Sequence, residues 1–166
     1  MNKNQVGCFI CLILKGEIMR VLLQKVSSAS VSIDKKVVSH IGKGFLLLVA
    51  VEDSDGAEEV AYLVHKIIKL RVFLDKKGKM NLSISDVAGS ILSVSQFTLY
   101  ADTRKGNRPS FTDAGQPAHA QAIYNDFNQA LTATGIPLET GVFAADMAVK
   151  LVNDGPVTIM FDTDQR

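Results

Sequence analysis

The stretch SQFTLYA, residues 95–101, closes an apolar run with a serine, a glutamine and a threonine close together. If the run is a strand, Ser95, Gln96 and Thr98 bring hydroxyls, an amide and free backbone N–H groups to one sheet edge. Such donors can stabilise a developing oxyanion, and removing one typically lowers a rate by about 10²–10³. The same pattern also describes an amphipathic strand with its polar side in water. Next comes TRKGNRPSF, residues 103–111, where Arg104, Lys105 and Arg108 surround a glycine and Phe111. These charges can grip phosphates near a nucleic-acid end while the ring packs or stacks, or they can form an ordinary solvated loop. A third stretch, NDGPVT at 153–158, puts Gly155 and Pro156 between the apolar runs MAVKLV and VTIMF. Asp-Gly is a strong hairpin-turn signal, yet proline cannot donate to a strand ladder, so the pair is either turn chemistry or a device. Only about 5–6% of X-Pro bonds in folded proteins are cis, so pattern alone predicts a trans proline.

Other chemistries are missing. There is no G-x-S-x-G elbow, H-E-x-x-H, Walker loop or G-x-G-x-x-G, and GKGFLL at 42–47 has two of the three glycines. His40, His65 and His119 are dispersed, which argues against a Ser-His-Asp triad and leaves no ligand cluster. Cys8 and Cys11, in CFIC, lack the second ligand pair that a structural zinc site needs. With 18 basic and 17 acidic residues the chain has no broad positive field, so any nucleic-acid contact is small and local. An enzyme built from these residues works through backbone groups and positioning.

The elements that must hold these residues are legible in outline. At 166 residues and 47% hydrophobic, the chain fits one domain. RVLLQKV, ASVSI, KVVSHI and GFLLLVAV read as strands, and the last lacks polar alternation, as a strand buried on both faces does. Val60, Leu63, Val64, Ile67 and Ile68 then form a helical stripe, with Asp55 and Glu58 spaced as a capping box. His65 reads as a partly buried residue beside that stripe. DKKGKMN is a turn, and SILSVSQFTLYA a long strand. A second helix is predicted over about residues 117–133, with Ala120, Ile123, Tyr124, Phe127, Ala130 and Leu131 on one side; Pro117 suits its first turn, and Gly135 with Pro137 stops it. His119 reads as solvated. The pattern is α+β, a single domain of antiparallel or mixed strands with two main helices on one face.

Residues 1–18 carry a short apolar run behind Lys3, too short to span a bilayer that requires about 20 residues, and no A-x-A cleavage site follows. Met19 opens the first strand pattern, so 1–18 is expected to be an extension and 19–166 the domain. The expected setting is cytoplasmic, with no membrane association.

SQFTLYADTRKGNRPSF, followed by ETGVFAADMAVKLVNDGPVT, resembles the D-aminoacyl-tRNA deacylases, also called D-Tyr-tRNA deacylases. MRVLLQKV and GKMN agree as well, and the likeness runs from Met19 to the C-terminus. The resemblance implies a three-layer α/β/β fold, a homodimer with active sites at the subunit interface, and no cofactor. It implies hydrolysis of the ester joining a D-amino acid, or mischarged glycine, to the 3′-terminal adenosine of tRNA. It places the reaction centre at Ser95, Gln96, Phe97, Thr98 and Leu99, with Thr98 as a suggested nucleophile. No base is evident to activate that hydroxyl, and the expectation is water attack with the Phe97 and Thr98 N–H groups holding the oxyanion. The likeness also implies that Gly155 and Pro156 form a Gly-cisPro motif reaching into the other subunit's site, where its carbonyls exclude an L side chain. Phe143 and Met147 would flank the adenosine. Lys25 stands where relatives commonly have arginine, which predicts a looser brace on that turn. The competing expectation is a non-catalytic tRNA-end-binding module using the same basic loop.

Overall fold

The computed structural model describes residues 18–165, so Cys8, Cys11 and all of the expected extension except Ile18 lie outside the described residues. β1 (Arg20–Ile33) turns at Asp34 and Lys35, both at positive φ as a two-residue I′ hairpin requires, into β2 (Lys36–Ile41). β2 and then β3 (Gly44–Ala50) run antiparallel to β1, β2 pairing with its residues 29–33 and β3 with its residues 20–26. β8 (Ala148–Asp162) pairs antiparallel with β1 along nearly its whole length. β6 (Ser90–Ser95) adds to β3 and β7 (Leu138–Thr140) to β6, both parallel. Parallel neighbours need crossovers. α1 (Ala57–Lys69) lies in the first, together with the small pair β4 (Phe73–Leu74) and β5 (Met80–Leu82), and α2 (Pro117–Ala133) forms the second.

Two apolar clusters make the layers. Phe45, Leu47, Val49 and Ile91 pack with Leu63 and Ile67 of α1 and with Phe127 and Leu131 of α2. Leu46, Leu92 and Val94 instead pack with Ala29, Val31 and Ile41 from the distal part of β1 and the end of β2. Alternate residues of β3 therefore enter different cores, which is why its sequence lacks polar alternation. The result is helices, sheet and a second β layer: the α+β, three-layer arrangement expected.

Local details differ from the sequence-based expectations. α1 starts one residue later than the Asp55–Glu58 spacing implied: Gly56 is its N-cap, and its N–H donates to the Glu59 carboxylate at 3.0 Å. Asp55 is engaged elsewhere, accepting the Glu52 N–H at 2.6 Å. His65 is exposed rather than partly buried. SILSVSQFTLYA is a strand only to Ser95. Gln96 donates its N–H to the Val49 carbonyl at 2.7 Å, near the end of β3, and residues Phe97–Tyr100 wind into one 3₁₀ turn.

Residues 153–158 are not a hairpin turn. β8 continues through them, with Asn153 opposite Val26 and Thr158 opposite Gln24, so that Lys25 alone faces residues 154–157. This is a bulge within one strand, four residues against one rather than the usual two. The Gly155–Pro156 peptide is cis, against the pattern-based expectation and as the resemblance implied. Lys25 is buried, with Nζ 3.5 Å from the Asp154 carboxylate and 5.8 Å from the Phe73 ring centroid. Among the described residues no helix is long and apolar enough to cross a membrane.

Candidate active site

A pocket of about 640 Å³ opens where β3 and β6 end. In sheets with parallel neighbours, the carboxyl ends of strands are where crossovers leave room for a ligand. Val49 to Val51 and Val94 to Phe97 form one side, Gly115 to Pro117 with Ala120 and Tyr124 of α2 another, and Phe143 to Met147 a third. The structure thus brings Ser95, Gln96, Phe97, Phe143 and Met147 together. Thr98 adjoins them, its hydroxyl oxygen accepting from the Gln96 amide at 2.5 Å.

The 3₁₀ turn is fixed at both ends. Its start is held by the Gln96–Val49 bond. At its end, the buried Tyr100 hydroxyl donates to the Ile18 carbonyl, and the Arg20 guanidinium lies 4.8 Å from the ring centroid while donating to the Leu99 carbonyl at 3.1 Å. Arg20 is itself held by Asp162 at 3.0 Å. Burial keeps the Tyr100 phenol well above its usual pKa, so it remains a donor. The N–H groups of Phe97 and Thr98 open this turn, where the helical ladder offers no acceptor. Phe97 lines the pocket and Thr98 follows it, and amides without a helical acceptor can receive negative charge on a carbonyl oxygen.

The α2 wall is anchored to the loop before α1. Gly115 N–H donates to the Val51 carbonyl at 2.8 Å, Gln116 N–H to Asp53 at 2.6 Å, and His119 Nε2 to the Asp55 carbonyl at 3.0 Å. His119 is therefore half-buried and engaged, not solvated as its sequence context suggested. The Asp55 carboxyl is buried, with Oδ1 lacking a hydrogen-bond partner among the described residues. Burial raises its pKa from 3.8 to about 7, opposed by the Glu52 N–H bond and reinforced by the Glu52 and Glu59 charges. The folded state thus holds the proton more tightly than the unfolded chain, and stability present below the unfolded value is lost as pH rises through the folded one. Asp55→Asn cannot ionise. Its thermal midpoint is expected to gain on the wild type between ~pH 4 and ~pH 8; a difference that stays constant across that range in calorimetry would contradict this assignment.

The basic loop lies outside the pocket's main walls. An isolated bridge between Asp102 and Ser110 closes it, with two backbone bonds of 2.8 and 2.9 Å. Arg104, expected to contact phosphate, is held by Asp102 through Nε at 2.9 Å and Nη2 at 2.8 Å. That contact keeps the Asp102 carboxyl down at about 2. Lys105 and Arg108 are exposed. Phe111 turns inward, its ring edge-on to Phe97 at 5.1 Å, so the loop packs directly on the 3₁₀ turn. Gly155 and Pro156 do not line this chain's pocket.

Sequence reasoning missed Gln116, Pro117, Ala120 and Tyr124 as pocket residues. Tyr124 was legible only as a member of the helix stripe, yet its hydroxyl donates to the Ser93 carbonyl at 2.8 Å and its ring lies 6.0 Å from Phe143. The available signal was Pro117: it marks a helix start that a crossover sets beside the strand ends.

The D-Tyr-tRNA(Tyr) deacylase family model matches residues 22–162. The chain belongs to this family. A D-aminoacyl-tRNA deacylase of Bifidobacterium adolescentis is 56% identical over 156 residues, covering 89% of this chain and 98% of that protein. One of Bifidobacterium animalis subsp. lactis is 54% identical over the same shares. Among solved structures, a c-Myc DNA unwinding element binding protein is 38% identical, with a TM-score of 0.80 covering 86% of this chain and 97% of that one. A probable eukaryotic D-amino acid tRNA deacylase, 19% identical, has the same fold, with a TM-score of 0.73 over 87% and 99%. Membership in the deacylase family makes this chain an enzyme of the hydrolase class.

Proposed function

We propose that this enzyme hydrolyses the ester between a D-amino acid and the 3′-terminal adenosine of tRNA, and that it also removes mischarged glycine. The observation that carries the reading is the pair of first-turn amides at Phe97 and Thr98 beside an aromatic-walled pocket. Water adds to the ester carbonyl carbon, and the resulting oxyanion is received by those two N–H groups. The carbonyl then re-forms and the ribose oxygen leaves with a proton, giving free amino acid and a free terminal hydroxyl. The vicinal ribose hydroxyl is placed to assist. Phe143 and Met147 enclose the adenine, Ser95 and Gln96 position the ester, and Lys105 and Arg108 meet backbone phosphates. Arg104 shapes the loop through Asp102.

In this reading the active unit is a homodimer. Gly155 and Pro156 of one subunit present carbonyls in the other's pocket, where they leave room for a D side chain or for hydrogen and collide with an L side chain. Support comes from the position of the bulge, exposed and away from its own chain's pocket. It comes also from β8 itself, which pairs only with β1 among the described strands and exposes Val152 and Met160. An edge strand with exposed apolar residues is a surface that a second chain can cover.

Thr98 is a positioning group here. Its hydroxyl accepts from an amide, which cannot take its proton. Thr98→Ala is expected to stay within about tenfold of wild-type activity, whereas deleting a true nucleophile costs on the order of 10⁶. The deciding experiment incubates the protein with D-Tyr-tRNA and L-Tyr-tRNA. Catalytic release from the D ester with survival of the L ester is expected; survival of both at stoichiometric protein would leave only a tRNA-end-binding role.

A further inference from the structure

From the hydrogen bonds across the β8 bulge we infer that Asn153 is a specificity-determining positioning residue: its carboxamide sets the shape of the segment that carries Gly155 and Pro156. The inference rests on the reading that those two residues govern selectivity. Asn153 is the last residue of β8 in register before the bulge, and Thr158 is the first after it. Across this gap Asn153 Oδ1 accepts the Val157 N–H at 2.8 Å, and Nδ2 donates to the Val157 carbonyl at 3.2 Å and to Thr158 Oγ1 at 2.9 Å. One side chain thereby replaces, for Val157, the two-point pairing that a neighbouring strand would supply. Gln24 Nε2 reaches the same Thr158 hydroxyl at 3.4 Å, tying the clamp to β1.

Val157 is buried in the helix-side core, so the clamp fastens the exposed bulge to a fixed point. A second tie on the segment, Lys25 to Asp154, joins a buried ammonium to a half-exposed carboxylate at 3.5 Å, a longer and less directional contact than the carboxamide bonds. Three amide hydrogen bonds between uncharged partners keep their geometry regardless of salt. Asn153 therefore fixes where the Gly155–Pro156 segment rejoins the strand, at Val157 and Thr158.

The test compares deacylation of D-Tyr-tRNA and L-Tyr-tRNA by Asn153→Ala and Asn153→Asp, with thermal midpoints measured alongside. The aspartate is nearly isosteric and keeps an acceptor for the Val157 N–H, but it turns an oxygen toward the Val157 carbonyl in place of a donor. Both variants are expected to lower the D/L rate ratio by about tenfold or more, the scale of one or two hydrogen bonds. A residue that served only stability would slow both substrates together and leave the ratio unchanged. An unchanged ratio in folded variants overturns the inference. Gly155→Ala separates the two levels: if it alters the ratio while the Asn153 variants do not, only the role of Asn153 falls, and if none of them alters it, the Gly-Pro reading falls too. Should both Asn153 variants fail to fold, Thr158→Val removes one acceptor of the clamp at an exposed position. A smaller drop in the ratio is then expected, and no drop overturns the inference.

Discussion

Gly155→Ala is expected to lower the D/L deacylation ratio by about 10²-fold, the cost typical of a catalytic or substrate-fixing group misplaced by about 1 Å. Gly155 has φ of +148°, a region that L side chains rarely occupy, and a Cβ built there lies 2.8 Å from Val157 Cγ2 and 3.0 Å from the Val157 N. Strained backbone of this kind costs on the order of 1–3 kcal/mol, which the bulge relieves by changing course. Val157 cannot yield easily, since its side chain is part of the core and its N–H and carbonyl are bound by Asn153. The Gly155 and Pro156 carbonyls move instead. Because the bulge is exposed, the thermal midpoint is expected to change little. Parallel kinetics on the two Tyr-tRNA esters read the effect directly, and a folded variant with wild-type selectivity would falsify the steric-exclusion reading.

The second large effect is expected at Phe97, from a pair of substitutions read against each other. Phe97→Ala removes the ring, which is 58% exposed and touches Phe111, but keeps the backbone N–H. Phe97→Pro removes both. Proline is suited to the first position of a helical turn, and Gln96 before it has φ −146° and ψ 75°, outside the α region that a following proline disfavours. The backbone course is thus compatible with the change. Relative to alanine, proline is expected to reduce kcat by about 10²–10³, the loss typical of one oxyanion donor. Equal rates for the two variants, with circular dichroism confirming the fold, would remove the Phe97 amide from the mechanism.

What was legible in the sequence follows from how local each signal is. The limits of α2 agree with expectation because Pro117 and Gly135 act within their own turn. The α1 cap was displaced by one residue because Asp55 found a better partner in the Glu52 N–H, and loop course decides that competition. The end of β6 was misread for a similar reason: Phe97 to Tyr100 continue the apolar pattern, but the Gln96–Val49 bond falls at the end of β3, and the chain curls. Ser95, Gln96, Phe97, Phe143 and Met147 line one pocket, although no spacing in the sequence brings the two segments together. Arg104 stands two residues from Asp102, whose carboxylate answers its charge inside the loop. The four-residue bulge in β8 was not legible from composition. Asp-Gly signals a hairpin in isolation, whereas here the chain resumes its pairing with β1 at Thr158.

The donors that the proposed mechanism takes from the 3₁₀ turn, the Phe97 and Thr98 amides, belong to the main chain rather than to side chains. A competing compound anchored on those amides would meet a target that most point mutations leave untouched. Resistance would have to arise from rerouting the polypeptide, and here that means detaching Gln96 from Val49 or Tyr100 from its carbonyl partner. In the proposed mechanism such detours would disarm the enzyme along with the inhibitor.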